Sequence, residues 1–214
     1  MESAEQSPPG VVILGLEAQQ QSPPAQRCRE VSTGKDVRCI VLEAGADADG
    51  TGASQLVRLR VPVIFVVGGT VEGGALELAL AADVRISAPE GAFEIPRPGS
   101  NPWLEARLAR LGGEDVAPLR GRTVRAPRLL DIGLVSAIVP DPGEEALRLA
   151  GLIAARGPIA EELGKEALWR GLEMPLAQAL RFETDLTLLL QTTKDRVEGV
   201  RAFIEKREPT FKGE

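Results

Sequence analysis

The sequence of 214 residues contains no histidine. Without histidine, the chain cannot build a Ser/His/Asp triad, a Cys/His dyad or a histidine-ligated metal site. It has only two cysteines, Cys28 and Cys39, which do not make a metal-binding framework. Two isolated cysteines are typical of a reduced, intracellular chain. We therefore expect neither a metal ion nor a bound cofactor, and the most common nucleophilic mechanisms are excluded.

The sequence also lacks long runs of apolar or basic residues. No stretch of about 18 apolar residues is present, so no membrane-spanning helix is expected. The net charge is −6 and no long basic run occurs, which argues against binding to nucleic acid or to anionic membranes. Residues 1–9 are acidic, bear prolines and match neither a signal peptide nor a transit peptide. We expect these residues to form a flexible tail on a cytoplasmic protein.

The composition is that of a globular chain with a sizeable core, with 43% hydrophobic and 26% charged residues. Three apolar runs predict strands at Val11–Leu16, Val37–Leu42 and Val61–Val67. These runs are apolar throughout and do not alternate with polar residues. That pattern is typical of a parallel sheet that is buried on both faces, so an α/β fold is predicted.

The most informative segment follows the third predicted strand. Val61–Val67 leads into glycines, then into a helix that includes Leu76–Ala82, and Val84–Ser87 returns to a strand. Backbone amides at the start of such a helix can hold an anion, or the negative charge that develops on a carbonyl oxygen. Glu77, placed in the first helical turn, could exchange a proton beside that oxygen. The simpler alternatives are glycines required for close packing and a surface glutamate that compensates the helix dipole.

The second half of the chain is predicted to be mainly helical. A helical pattern begins after Asn101–Pro102 and stops at Gly112. Beyond a short helix at 126–132 and a short strand at 135–139, four amphipathic helices are predicted, at 144–156, 158–171, 175–191 and 193–206. Loops are predicted at 19–24 and 44–54, where polar residues, proline or glycine are concentrated.

Three segments of the chain resemble the crotonase superfamily, the enoyl-CoA hydratase/isomerase family. The first is PVIFVVGGTVEGGALELALAADVRIS, which is similar to the strand–glycine–helix–strand core of the family. The second is Ile132-Gly133-Leu134-Val135 with Val139-Pro140. The third comprises C-terminal runs that include GKEA, TKDRVEG, AFIEKR and PTFKG. Together they cover most of residues 61–214.

The resemblance implies a fold, an assembly and a substrate class. The family has an α/β fold in which a spiral of ββα turns is followed by a C-terminal helical trimerisation region. It implies a spiral core at 10–140 and a helical oligomerisation region at 141–214. Members form trimers or dimers of trimers and act on acyl-CoA thioesters, as in fatty acid metabolism. Coenzyme A thioester is thus expected as a substrate.

The resemblance also assigns roles to residues of this chain. Two backbone amides of the family stabilise the thioester enolate, and they correspond to Gly74 and to Ala46, if Ala44-Gly45-Ala46-Asp47 matches the AGAD motif of the family. The first catalytic glutamate corresponds to Glu77. Phe203 and Lys206 match positions that help to cover the acyl-CoA. Gly73 and Arg97 complete the set of residues expected to contact the substrate.

The chain departs from the family at several positions. The second catalytic glutamate belongs in a segment F-G-Q-P-E, where this chain has Phe93-Glu94-Ile95-Pro96-Arg97, so that Arg97 stands in place of the acid. Arg97 has three interpretations: an ion pair with Glu77 or Glu94, binding of a carboxylate or phosphate of the ligand, or a surface arginine. The loop that follows is shortened to residues 98–102. The first long helix of the family is absent between Leu16 and Val37.

Two hypotheses for the function follow. The first is an enoyl-CoA hydratase/isomerase-type lyase or isomerase that acts on acyl-CoA thioesters through an oxyanion hole, with Glu77 as the remaining acid/base. The second is a non-catalytic crotonase-like subunit with a degraded active site, which binds or supports a partner. Glu72 also weighs on this choice, because a carboxylate near the oxyanion hole would oppose the formation of an enolate.

Overall fold

The computed structural model describes residues 7–16, 22–45 and 48–214. In chain order the strands are β1 (Val11–Leu16), β2 (Cys39–Ala44), β3 (Val63–Val67), β4 (Thr70–Val71), β5 (Val84–Ser87), β6 (Ala92–Ile95), β7 (Arg122–Arg125) and β8 (Ala137–Ile138). The α-helices are α1 (Pro24–Ser32), α2 (Gly73–Ala81), α3 (Pro102–Gly112), α4 (Ala126–Asp131), α5 (Pro142–Ala154), α6 (Pro158–Gly171), α7 (Leu176–Leu190) and α8 (Lys194–Glu205). Short 3-10 helices span Ala53–Arg58 and Gly113–Leu119.

The strands form two sheets. The larger sheet has five parallel strands in the order β1-β2-β3-β5-β8. The smaller sheet has the order β4-β6-β7, with β4 parallel and β7 antiparallel to β6. Helix α2 connects β4 of the smaller sheet to β5 of the larger one, so its first turn lies where the two sheets meet.

The larger sheet is buried on both faces, as its continuous apolar strands predict. On one face, alternate residues such as Ile40 and Leu42 join the cluster that contains α2. On the other face, their neighbours Cys39 and Val41 pack with Ala146 of α5. Because strand side chains alternate between faces, an apolar residue at every position supplies both clusters. The prediction of an α/β fold with a buried parallel sheet is therefore confirmed.

Two buried cations fix α2 and the C-terminal helices to the sheet. The guanidinium of Arg85 donates to the carbonyl oxygen of Ala82 at 2.6 Å, just past the C-terminal end of α2. It also donates to the carbonyl oxygen of Leu134 at 2.7 Å, in the segment between α4 and β8. Burial lowers the pKa of Arg85 to about 10, so this arginine stays charged at neutral pH. The ammonium of Lys165 on α6 lies 2.7 Å from Asp83 Oδ2 and 2.9 Å from the carbonyl oxygen of Val61.

Helices α7 and α8 leave many large apolar side chains exposed. The most exposed of these, between 55% and 84%, are Leu176, Leu180, Leu188, Leu189, Val197, Phe203 and Ile204. Within the described residues, no helix is both long enough and apolar enough to cross a membrane.

The structure contains elements that the sequence analysis did not predict. Helix α1 forms between Leu16 and Val37, where no helix was predicted. Strands β6 and β7 were not predicted, although β6 carries Glu94. Residues 1–6 of the predicted flexible tail lie outside the described part of the chain.

Candidate active site

At the start of helix α2, the first backbone amides have no backbone acceptor among the described residues. Gly73, the first helical residue, has a φ of +50°, a conformation that favours glycine. The first amide of the helix with a backbone acceptor is that of Leu76, which donates to the carbonyl oxygen of Glu72 at 3.1 Å. No side chain caps this end of the helix within the described residues. Within the described part of the chain, the amides of Gly73 and Gly74 have no backbone acceptor, and the helix dipole favours negative charge there.

The loop of residues 48–50 packs directly against Gly74. A Cβ atom built on Gly74 would lie 2.3 Å from both the carbonyl oxygen of Ala48 and the amide nitrogen of Gly50. The close-packing interpretation of Gly74 is thus confirmed. By contrast, a Cβ atom on Gly73 would meet nothing within 4 Å, so the helix start is open on that side.

Glu77 lies in the second turn of α2, so its placement in the first turn was wrong. Its carboxyl group is half-buried and does not project into bulk water. A Cβ atom on Gly50 would lie 2.7 Å from Gly74 Cα and 3.1 Å from Glu77 Cδ. Gly50 therefore packs against both Gly74 and the carboxyl end of Glu77.

The hydrogen-bond partner of Glu77 is an amide. Asn101 Nδ2 donates to Glu77 Oε1 at 3.0 Å. The other end of the same carboxamide, Asn101 Oδ1, accepts from the backbone amides of Trp103 at 3.0 Å and Leu104 at 3.3 Å. Asn101 is thus the N-cap residue of α3, and Pro102 fits the first helical position that follows.

Arg97, at the position of the second acid of the family, is exposed and packs along Gly121. A Cβ atom on Gly121 would lie 3.2 Å from Arg97 Cγ. Among the described residues, Arg97 forms no ion pair with Glu77 or Glu94, so that interpretation was wrong. Its guanidinium is available to an anion of a ligand.

A pair of carboxyl groups, those of Glu72 and Glu94, lies beside the start of α2. The register of β4 and β6 pairs Thr70 with Ala92 and Val71 with Phe93, which brings Glu72 next to Glu94. A hydrogen bond between the two carboxyl groups, with protonated Glu72 as the donor, and the negative charge of Glu94 raise the pKa of Glu72 above its ordinary value. Both side chains are exposed, and the carboxylate of Glu72 beside Gly73 counts against an anion at the helix start.

The remaining predicted site residues are not part of this cluster. The side chain of Phe203 is 84% exposed at the C-terminal end of α8, and Lys206 ends that helix with a φ of +53°. In the described part of the chain, neither residue forms a hydrogen bond or ion pair with Glu77 or Asn101. Ala46, the expected second amide donor, lies outside the described residues.

The cysteines are unsuited to nucleophilic chemistry. Burial raises the pKa of Cys28 to about 11 and that of Cys39 to about 12. Both thiols therefore remain protonated at neutral pH.

A groove of about 730 Å³ between α6, α7 and the core is lined by residues such as Arg85 and Trp169, and it does not include Gly74 or Glu77.

Two residues of the site were missed by the sequence analysis. Gly50 lies in a glycine-rich stretch in which one glycine cannot be distinguished from the next. Asn101 was placed correctly before a helix, because Asn-Pro is a typical helix start. Its contact with Glu77 spans 24 residues along the chain and depends on the packing of α3 against α2. No local pattern reports such a contact.

Comparison with known proteins gives consistent results. The sequence model described as "Enoyl-CoA hydratase/isomerase" matches residues 30–214. The YngF protein of Bacillus subtilis (strain 168) is 33% identical, over 86% of this chain and 84% of that protein. The 2,3-dehydroadipyl-CoA hydratase of Escherichia coli (strain K12) is 35% identical, over 75% of this chain and 66% of the relative. Mouse mitochondrial methylglutaconyl-CoA hydratase is also 35% identical, but only 55% of its length is covered.

Solved structures agree with the sequence comparison. An enoyl-CoA hydratase from Bacillus anthracis superposes with a TM-score of 0.84 at 29% identity, covering 98% of each chain. An enoyl-CoA hydratase/isomerase structure from Mycobacterium abscessus gives a TM-score of 0.83 at 30% identity, covering 96% of this chain and 95% of the other. The similarity thus extends over nearly the whole fold.

Proposed function

Because the chain belongs to the enoyl-CoA hydratase/isomerase family, we propose that it binds an acyl-CoA thioester with the carbonyl oxygen at the start of α2. The amide of Gly74 donates a hydrogen bond to that oxygen, and Glu77 exchanges a proton with the acyl chain. One observation carries this proposal: the amide of Gly74, which has no backbone acceptor among the described residues, and the carboxyl of Glu77 both lie against Gly50.

The helix start supplies the stabilisation of negative charge. When a proton leaves the carbon next to the thioester, the electron pair moves onto the carbonyl oxygen. An amide that is already oriented, together with the positive end of the α2 dipole, lowers the energy of that enolate. We assign the second donor to Ala46, as the family resemblance implies. The open side of Gly73 provides the approach for the ligand.

Glu77 supplies the proton transfers, and it acts alone. In a double-bond shift, Glu77 removes a proton from C2 of a 3-enoyl-CoA, and the electron pair is delocalised over the dienolate. Glu77 then returns the proton to C4, which gives the 2-enoyl-CoA with all atoms conserved. This chemistry needs one acid/base, whereas hydration in the family uses two carboxylates. The replacement of the second acid by Arg97 therefore favours the isomerase-type reaction.

A homo-trimer or a dimer of trimers is the proposed assembly. The exposed apolar side chains of α7 and α8 give the isolated chain an unusual amount of uncovered hydrophobic surface. In an assembly, Phe203 and Lys206 would take the substrate-covering role expected of them, at the site of their own chain or of a neighbour. Sedimentation velocity tests this directly: a trimer or hexamer supports the assembly, and a monomer at micromolar concentration contradicts it.

The alternative function is a non-catalytic crotonase-like subunit. Two observations favour it: the loop of residues 48–50 packs tightly on Gly74, and the partner of Glu77 is an amide instead of an acid. Such a subunit would keep the fold and the surface of α7 and α8 without binding the thioester.

Two measurements separate the hypotheses. Butyryl-CoA incubated with the protein in D₂O should exchange its C2 protons for deuterium, as seen by mass spectrometry, because removal of the C2 proton is the shared first step. Calorimetry should show binding of butyryl-CoA. Absence of both exchange and binding would refute the enzymatic proposal and support the subunit. Binding without exchange would retain the thioester site and refute Glu77 as the base.

A further inference from the structure

Asn101 links the acid/base residue to the helix that follows it. Its carboxamide is half-buried between α2 and α3 and uses both ends. Nδ2 donates to Glu77 Oε1 at 3.0 Å, and Oδ1 accepts from Trp103 N and Leu104 N. No other polar side chain in the described part of the chain bonds to Glu77.

The orientation of this carboxamide is determined by its surroundings. The amides of Trp103 and Leu104 are donors only, so they require an oxygen facing them. The nitrogen of Asn101 must therefore face Glu77, and a flipped amide would place two donors against each other. As a result, Glu77 Oε1 must act as an acceptor towards Asn101.

The loop that carries Asn101 is itself held in place. The backbone amide of Gly99 donates to Glu105 Oε1 on α3. The other carboxyl oxygen of Glu105 lies 3.9 Å from the guanidinium of Arg120. The short loop of residues 98–102 is thus anchored at Gly99 and at the Asn101 cap, which fixes the position of Nδ2 relative to α2.

We propose that Asn101 is a positioning residue, which holds Glu77 Oε1 so that Oε2 alone exchanges the proton with the substrate. Gly50 closes the carboxyl on another side, because its lack of a side chain admits Glu77 Cδ. Asn101 therefore provides for Glu77 a neutral neighbour in a site that has lost its second acid. The catalytic consequence rests on the proposed function, whereas the positional claim does not.

Two substitutions separate the positioning role from the capping role. Asn101→Asp and Asn101→Ser both retain a good N-cap for α3, but aspartate loses the donor and serine is too short to reach Glu77. We expect both variants to melt near the wild-type temperature. The kcat for C2 proton exchange should fall about 10-fold to 100-fold, while KM changes less than about threefold. Asp141→Asn, which alters another N-cap, should leave kcat unchanged.

A contact measurement tests the same claim without turnover. In ¹⁵N-labelled protein, the side-chain amide signal of Asn101, identified by its loss in Asn101→Asp, should move in Glu77→Ala and stay in Glu114→Ala. An unmoved signal in Glu77→Ala would overturn the positional claim, whether or not the wild type turns over. If the wild type is active, wild-type kcat in Asn101→Ser would overturn the catalytic consequence. An inactive wild type with a moved signal refutes only the proposed function.

Discussion

At the scale of single residues, Glu77 is held between a glycine and an amide. Gly50 lets the carboxyl approach the loop closely, and Asn101 donates to one of its oxygens. The other carboxyl oxygen, Oε2, has no hydrogen-bond partner among the described residues. The chemical character of the site therefore depends on three neighbours that are far apart in sequence.

Replacing the carboxyl of Glu77 should abolish proton exchange and preserve binding. Glu77→Gln keeps the shape of the side chain but cannot accept a proton from C2. We expect the exchange rate of butyryl-CoA to fall about 10²-fold to 10⁴-fold, with the Kd from calorimetry nearly unchanged. Glu114→Gln on the surface is the control. Exchange at the wild-type rate in Glu77→Gln would show that another group is the base.

Restoring the second acid should bring back hydration. Arg97→Glu recreates the acid of the F-G-Q-P-E segment at a residue that makes no ion pair in the described part of the chain. We expect Arg97→Glu to hydrate crotonyl-CoA at least about tenfold faster than the wild type. The loss of enoyl thioester absorbance measures this rate. Arg97→Gln removes the charge without adding an acid, so it separates the two effects. Equal rates in these two variants would contradict the proposal.

The sequence predicted the strand, the glycine turn and the helix that carry Gly74 and Glu77, because these elements are adjacent along the chain. It could not identify Asn101, whose role arises from the packing of α3 on α2. The predicted ion pair of Arg97 with Glu77 or Glu94 was also wrong, because opposite charges pair only when the backbone brings them within reach. Local pattern thus indicates the chemistry, and tertiary contact decides which partner a side chain meets.

At the scale of elements, helix α2 combines an open start with a closed end. In the part of the chain that the structure describes, its first amides have no backbone acceptor, whereas Arg85 satisfies carbonyl oxygens at and beyond its last turn. Six of its nine residues are buried, so the helix is held by the core rather than by its own propensity. A rigid helix with an uncapped start is suited to hold a transient charge in one place.

The contact between α2 and the loop of residues 48–50 should tolerate no side chain at Gly74. In Gly74→Ala the new Cβ would overlap backbone atoms 2.3 Å away. We expect a loss of about 3 kcal/mol in the free energy of unfolding by urea, because the overlap involves backbone on both sides. Gly69→Ala is the matched control, since its Cβ would meet nothing within 4 Å. Equal stability of the two variants would contradict the described packing.

Element prediction succeeded where periodicity was strong. Strand β5 and helix α6 begin and end where the sequence predicted, and helix α3 begins one residue earlier than predicted, at Pro102. Helix α1 was missed because it is short and begins at Pro24, directly after Pro23 and a polar run. Strands β6 and β7 are four residues each and gain their stability from pairing with each other, which a local pattern does not reveal.

At the scale of the whole molecule, one buried ion pair joins the C-terminal helices to the sheet. Lys165 is 7% exposed and reaches Asp83 and the backbone of the segment before β3. Lys165→Met should cost about 3 kcal/mol, because it leaves Asp83 without its cation. Urea unfolding measures this loss, and Lys194→Met, in an exposed pair, should change stability by less than about 1 kcal/mol.

The outcome that would contradict this role is similar stability for Lys165→Met and Lys194→Met. A double variant, Lys165→Met with Asp83→Asn, should recover part of the loss, since the unpaired charge is the main cost. The sequence placed Lys165 on a helix but could not indicate its burial, because lysine is usually exposed.

The most direct test of the central claim is ¹³C NMR of butyryl-CoA labelled at the thioester carbonyl. Hydrogen bonds from the start of α2 should polarise that carbonyl and move its resonance downfield on binding. Glu77→Gln should retain the shift, because the amide of Gly74 and not the carboxyl causes it. A bound thioester whose carbonyl resonates as it does in water would contradict the account.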